Sequence, residues 1–225
     1  MIVPEAVIRS LPLFASLRDQ EVDRVVQASR RAVYLRRNVV FHEGEPGHCL
    51  FIVLSGSVKL VLCGGDGRQI MLRTLGPGDC FGVSELLEGV PRTVTAMTLE
   101  RTALLQVTRE VFSAVLARNA EFARTILVHA ALRTRNMNQL IRELGFYGVP
   151  DRILAALLKM AENDQAGRLV VHCPPSRQEL ADRVSSRRET VSRAIKVLKD
   201  NGYLVTTPKT WILNRSAARP LIRSA

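Results

Sequence analysis

The chain has 225 residues, 47% of them hydrophobic, with 32 Lys and Arg against 21 Asp and Glu and a formal net charge of +11. This is apolar enough for a packed core and excludes a disordered chain. The positive surplus is densest in the last third, where residues 145–225 hold 14 basic and 7 acidic side chains, and it suits a polyanion: nucleic acid or an anionic membrane surface.

The opening MIVPEAVIRS carries no basic stretch followed by an apolar one, so no targeting leader is expected. No apolar run approaches the roughly 18 residues that span a bilayer. Residues 2–30 read as short helices: Glu21, Val22, Val25 and Val26 have helical spacing, with Asp19 as the expected cap. From about Ala32 to Val107, short apolar runs at 50–54, 58–62, 70–72, 93–99 and 103–107 alternate with turn signals. The turns lie at 43–47, 55–57, 64–67 and 76–79. Evenly spaced short strands with Gly-rich turns predict a barrel or jelly roll, with a sandwich of the same strands as the alternative.

Residues 109–144 contain neither Pro nor Gly, which predicts a long helical stretch. Phe122, Ile126, His129, Leu132, Leu140 and Leu144 line an apolar seam, interrupted by Arg133, Asn136 and Met137. Such a seam either pairs with its own copy as a two-stranded coiled coil or lies flat on the chain's own barrel. Two glycines and a proline within residues 145–150 end the helix in a hinge or linker.

Beyond the linker, an amphipathic helix is expected at 152–161, a short strand at 169–172 and a stop at Pro174-Pro175. Ser176 with Glu179 makes a capping box. A short helix then runs to about Val184, and Ser185-Ser186 form a turn and a fresh cap. A second helix runs from about Arg187 to Asp200, closed by Asn201-Gly202. Residues 204–205 and 211–213 flank a hairpin whose tip carries Pro208 and Lys209. Two helices joined by a tight polar turn form a helix-turn-helix.

On a wheel of about 100° per residue, Arg188, Lys199, Ser192, Lys196, Glu189 and Arg193 share one side of the second helix, while Val191, Ala194, Ile195 and Leu198 lie opposite. One side can dock while the other presents Arg, Glu and Lys. Arg offers a bidentate pair of donors to guanine, and Glu accepts from the cytosine amino group. The alternative for such a side is a solvated charged face; the cap, turn and flanking hairpin favour DNA.

The motifs Ser176-Arg177-Gln178-Glu179-Leu180-Ala181 and Ser186-Arg187-Arg188-Glu189-Thr190-Val191-Ser192-Arg193 resemble the helix-turn-helix signature of the CRP/FNR superfamily of bacterial regulators. Phe41-x-Glu43-Gly44-Glu45-Pro46-Gly47, Leu54-Ser55-Gly56-Ser57-Val58-Lys59, Gly78-Asp79-Cys80-Phe81-Gly82 and Pro91-Arg92-Thr93-Val94-Thr95-Ala96 resemble its barrel. The resemblance covers nearly the whole chain in the family's domain order. It implies an α+β fold: an N-terminal double-stranded β-helix (jelly-roll) barrel over residues 1–108, a long dimerisation helix over 109–145 and a C-terminal winged helix-turn-helix over 146–225. It further implies a cytoplasmic homodimer on double-stranded DNA with a palindromic, TGTGA-like operator, with RNA polymerase as a partner and no membrane. Arg188, Glu189 and Arg193 match the base-reading positions. Ser176, Ser186, Arg187, Ser192 and Lys196 complete the expected DNA-binding set, and Lys209 and Arg215 are expected on phosphates.

In cyclic-nucleotide-binding relatives, backbone amides after Phe-Gly, an Arg and a Ser or Thr hold the cyclic phosphate. The resemblance places an effector site at Gly82, Val83, Ser84, Arg92 and Thr93, with Arg133, Met137 and Asn138 contributed by the long helix. Relatives carry Glu directly after Phe-Gly, where Val83 stands here, and Glu85 is expected to point elsewhere. The Thr-Ser pair of cAMP receptors falls at Met137-Asn138. The effector is therefore cAMP, another nucleotide such as cyclic di-GMP, another small ligand, or none. An N-terminal cysteine cluster for iron–sulfur is missing. His42, His48, His129 and His172 form no haem or metal motif and are expected to be partly buried and structural. Cys49, Cys63, Cys80 and Cys173 show no CxxC spacing, which fits reduced thiols; redox sensing stays open, with small core hydrophobes as the plainer reading. No P-loop, nucleophile motif or metal-ligand spacing suggests an enzyme. The other rival is a cyclic-nucleotide-binding module that regulates a protein partner.

Overall fold

The computed structural model describes residues 4–65 and 69–214. They fall into two units: residues 4–62 with 72–137, and residues 63–65 and 69–71 with 138–214.

The first unit begins with helix α1 (Glu5–Arg9), a single 3-10 turn (Pro12–Phe14) and α2 (Asp19–Ala28). Asp19 is the first residue of α2 rather than its cap. The Glu21 carboxylate instead accepts from the Arg18 amide at 2.9 Å, so the third helical position supplies the cap. Strands β1 (Ser29–Tyr34), β2 (Val39–Phe41), β3 (Cys49–Ser55), β4 (Val58–Cys63), β5 (Gln69–Leu75) and β6 (Cys80–Phe81) follow. Then come α3 (Val83–Glu88), β7 (Thr95–Thr98) and β8 (Thr102–Thr108). The strands form two sheets, β1-β8-β3-β6 and β2-β7-β4-β5.

β3 shows why the two sheets close on each other. Leu50, Phe51, Ile52 and Val53 are all buried, and successive side chains of a strand point to opposite faces. Leu50 and Ile52 join a core with Ile8, Val22, Val25, Phe112 and Phe122 from the helices. Phe51 and Val53 join a second core with Phe41, Val58, Phe81 and Ala96, drawn from both sheets. β8 divides in the same way, with Leu105 in the first core and Leu104 in the second. The expected jelly roll is therefore present, with its helices on one face. The turn at Ser55-Gly56-Ser57 admits only glycine at its centre. Gly56 has φ +81°, and a Cβ there would lie 2.6 Å from the Arg101 carbonyl oxygen.

The stretch expected to be helical from Arg109 onward is two helices, α4 (Arg109–Leu116) and α5 (Ala120–Phe146). Asn119 makes the break. Its Oδ1 accepts from the Phe122 amide at 2.9 Å, and its Nδ2 donates to the Glu21 carboxylate at 2.9 Å and the Ser16 carbonyl at 3.0 Å. An Asn that satisfies a helix start and a buried carboxylate together outweighs the continuity of a Pro-free, Gly-free run.

The expected seam of α5 divides too. Phe122 and Ile126 are buried in the barrel's helical core, while Leu132 is exposed. One position onward, Leu127, Ala131, Thr134, Asn138, Ile141 and Gly145 are all exposed, and they recur at the alternating four-and-three spacing of a coiled-coil seam.

The second unit holds α6 (Val149–Leu158), β9 (Glu162–Asn163), β10 (Leu169–His172), α7 (Arg177–Arg183), α8 (Arg188–Asp200), β11 (Leu204–Thr206) and β12 (Thr210–Leu213). α6 starts three residues earlier than expected because Pro150 sits in its first turn, where a missing N–H costs nothing. The sheet order is β11-β12-β10-β9. Its core joins Ile153, Leu157, Val171, Leu180, Ile195 and Trp211.

Candidate nucleic-acid interface and anion site

Each unit carries one candidate site. In the second unit, Ser176 caps α7 as expected: its Oγ accepts from the Glu179 amide at 3.2 Å, and the Glu179 carboxylate accepts from the Ser176 amide at 2.8 Å. The turn into α8 differs from expectation. Arg187, not Ser186, holds the N-cap position and makes no side-chain cap bond. Ser185 adopts φ +51°, and the Ser186 amide donates to the Ala181 carbonyl at 2.9 Å. A left-handed residue reverses the chain where a side-chain cap was expected.

α8 divides along its length as the wheel requires. Val191, Ala194, Ile195 and Leu198 are buried against α6, α7 and the sheet. Arg187, Arg188, Glu189, Ser192, Arg193, Lys196 and Lys199 are exposed. Among the described residues, the Arg188, Glu189, Arg193 and Lys196 side chains make no ion pair or hydrogen bond. Four charged groups held on one face without internal partners can reach another molecule without first breaking an internal bond. Gly202, at φ +70°, closes the helix.

The hairpin tip is tied by the Thr207 hydroxyl, which donates to the Thr210 carbonyl at 2.8 Å and accepts from the Thr210 amide at 3.0 Å. This presents Lys209 to solvent. Arg215 lies outside the described residues. Arg177 was missed in the sequence because it reads as filler inside the capping box. Its guanidinium lies 5.0 Å from the centre of the Trp211 ring, with one nitrogen unpartnered among the described residues. Burial pushes it below its ordinary arginine value.

In the first unit, Gly82 turns β6 into α3 with φ +78°, and a Cβ there would meet the Arg92 guanidinium at 2.4 Å. Only glycine therefore permits this approach. Arg92 is 4% exposed. It donates to the Cys49 carbonyl at 2.6 Å and the Gly82 carbonyl at 3.4 Å, and its guanidinium carbon stands 4.3 Å from the centre of the Phe41 ring. The sequence placed Arg92 on a phosphate or on the surface; here carbonyls and an aromatic face hold it inside.

Glu85 also departs from expectation. It is 2% exposed and points into the site. Its Oε1 accepts from the Thr93 hydroxyl at 2.7 Å and the Thr93 amide at 3.3 Å. Glu85 is the third residue of α3, and a helical side chain leans back toward its own N-terminus. That direction brings the carboxylate onto Thr93. Ser84 is bonded by Arg133 of α5. The structure thus pairs Ser84 with Arg133, Thr93 with Glu85, and Arg92 with the Gly82 carbonyl. Val83 and Met137 are half-buried, and Asn138 is exposed.

The thiols and imidazoles add little to the site. Cys49 and Cys80 sit in strands, and burial raises both, Cys80 to about 11, which disfavours the reactive thiolate. All four cysteines are free. His42, His48 and His172 are exposed rather than partly buried, because they stand on turns and at a strand end; His129 is half-buried. Among the described residues no group of His, Cys, Asp and Glu could hold a metal ion, and no helix is long and apolar enough to cross a membrane.

Comparison with known families and structures agrees with this division. The family described as "Cyclic nucleotide-binding domain" matches residues 31–119, and "Crp-like helix-turn-helix domain" matches residues 151–218. The chain is 32% identical to the CRP-like cAMP-activated global transcriptional regulator of Mycobacterium tuberculosis, over 80% of this chain and 82% of that one. It is 30% identical to the cyclic AMP receptor protein of Thermus thermophilus, over 93% and 95%. Among solved structures, the c-di-GMP-responsive global regulator CLP of Xanthomonas campestris superposes with a TM-score of 0.74 at 27% identity, covering 87% of this chain and 99% of that one.

Proposed function

From the premise that the chain belongs to the CRP/FNR superfamily of transcription regulators, we propose that it is a homodimeric, sequence-specific DNA-binding regulator whose α8 reads a TGTGA-like palindrome in the major groove. The observation that carries this reading is the α8 surface: Arg188, Glu189, Arg193 and Lys196 are exposed and unpaired among the described residues, while the opposite side of the same helix is buried. Arg and Glu side chains so placed have the donors and acceptors that separate G·C from C·G. Ser176, Ser186, Arg187 and Ser192 complete the DNA-binding set, and Lys209, exposed at the hairpin tip, is its phosphate contact.

The domain limits in this reading are a barrel over residues 1–108, the connecting helices over 109–145 and the DNA domain over 146–225. The exposed seam of α5 pairs the two copies, RNA polymerase is the downstream partner, and the cytoplasm is the location. The barrel is the regulatory unit. A small effector acts there, and it shifts DNA affinity by favouring one arrangement about residues 145–150. The relatives named as cAMP-activated and c-di-GMP-responsive make a cyclic nucleotide the first effector to test.

A gel shift compares a TGTGA-type palindrome with a scrambled duplex of equal length at fixed salt. The palindrome is expected to be retarded at a protein concentration on the order of a thousandfold lower than the scrambled duplex. Equal retardation would reduce the protein to a general polyanion binder. No retardation of either would favour a module that acts on a protein partner.

A further inference from the structure

We infer that the Glu85 carboxylate is the resident anion of the barrel's anion site, and that it sets the specificity of this domain by closing the site to cyclic phosphates. The inference rests on the reading of the barrel as the regulatory unit. Two of the donors expected on a phosphate oxygen, the hydroxyl and amide of Thr93, already converge on one Glu85 oxygen, at 2.7 and 3.3 Å. A phosphate oxygen on the same donors would come within van der Waals contact of that carboxylate.

Glu85 is closely packed. It is 2% exposed, and its Cβ is 3.0 Å from where a side chain on Gly47 would begin. The Arg109 guanidinium donates to the Gly47 carbonyl at 2.8 Å and to the Glu85 carbonyl at 3.2 Å, fixing both backbones. The charge is also kept. Burial pushes the Glu85 carboxyl up, but the bonds from Thr93, the backbone and the nearby Arg92 outweigh it and hold the group below the usual carboxylate range. The second oxygen of Glu85 has no partner among the described residues. Two anions a few ångströms apart at a buried carboxylate oppose each other by on the order of a hundredfold in affinity.

Isothermal titration of the full-length protein with cAMP, without DNA, tests this. The wild type is expected to give no saturable binding, or binding weaker than E85A by about tenfold or more. E85Q, which keeps the size and removes the charge, is expected to gain as well. E85A with T93A should lose most of the gain, because the released donor is the Thr93 hydroxyl. A wild type that binds cAMP as tightly as E85A, or a folded E85A and E85Q that both bind no better than wild type, overturns the inference. If E85A fails to fold, as judged by thermal unfolding, E85Q alone decides in the same two directions. The gel shift on the TGTGA palindrome, run on the same wild-type preparation without nucleotide, reports on the DNA reading independently.

Discussion

Leu127→Glu combined with Ile141→Glu is expected to leave the protein monomeric and to reduce its affinity for a palindrome to that for a single half-site. The two side chains are 69% and 61% exposed although both are large and apolar, on a helix that elsewhere buries Phe122 and Ile126. They lie on the same line as Ala131, Thr134, Asn138 and Gly145. Small residues at Ala131 and Gly145 would let a second helix approach closely, and a polar residue at Asn138 would fix register at some cost in stability. Burying each of these two apolar side chains contributes about 1.5–3 kcal/mol. Each burial occurs twice in a symmetric pair, and four carboxylates in their place repel. The dimer dissociation constant should rise by at least about a thousandfold. Sedimentation equilibrium reads this directly. A double variant that remains dimeric would move the interface elsewhere.

Arg193→Ala is expected to cost about 1–3 kcal/mol on the palindrome and to relax preference at one base position per half-site. Arg193 makes no ion pair or side-chain hydrogen bond among the described residues, so its removal leaves no buried group unsatisfied, and the loss should appear in binding rather than in folding. Glu189 lies one helical turn away on the same face, and the pair would read neighbouring base edges. Binding to a panel of single-base variants separates readout from simple charge. If Arg193 met only a phosphate, the alanine variant would bind all sequences more weakly by the same factor and with a lower salt slope. If Arg193 reads a base, the penalty falls on duplexes that carry the preferred base. Equal loss on specific and random DNA would count against direct readout.

The parts of the molecule that follow a period were legible in the sequence. The buried stripe of α8, the capping box of Ser176 and Glu179 and the apolar runs of β3 and β8 each follow from spacing alone. β1 was missed because its Arg30 and Arg31 break the apolar pattern, as edge-strand charges do. The break at Asn119 was missed because it depends on Ser16 and Glu21, about a hundred residues earlier. The inner seam of α5 was chosen over the outer one because both have heptad spacing, and only the packing of Phe122 shows which faces the barrel.

The anion site was the least legible. Gly82, Arg92 and Thr93 were found by motif, but what they bind depends on where Glu85 points. Its position in α3 and the bare backbone at Gly47 decide that, and neither has a one-residue signature. Arg177 was hidden for a similar reason: only the fold brings Trp211 beneath it.

In the proposed complex the exposed side of α8 enters the major groove and donates to guanine. Methylation interference on the palindrome tests it most directly, because a methyl at guanine N7 blocks an acceptor that only a major-groove donor needs. Methylating the half-site guanines is expected to abolish binding by the wild type, and Arg193→Ala is expected to become indifferent to one of them. Binding that tolerates N7 methylation at every guanine of both half-sites would contradict it.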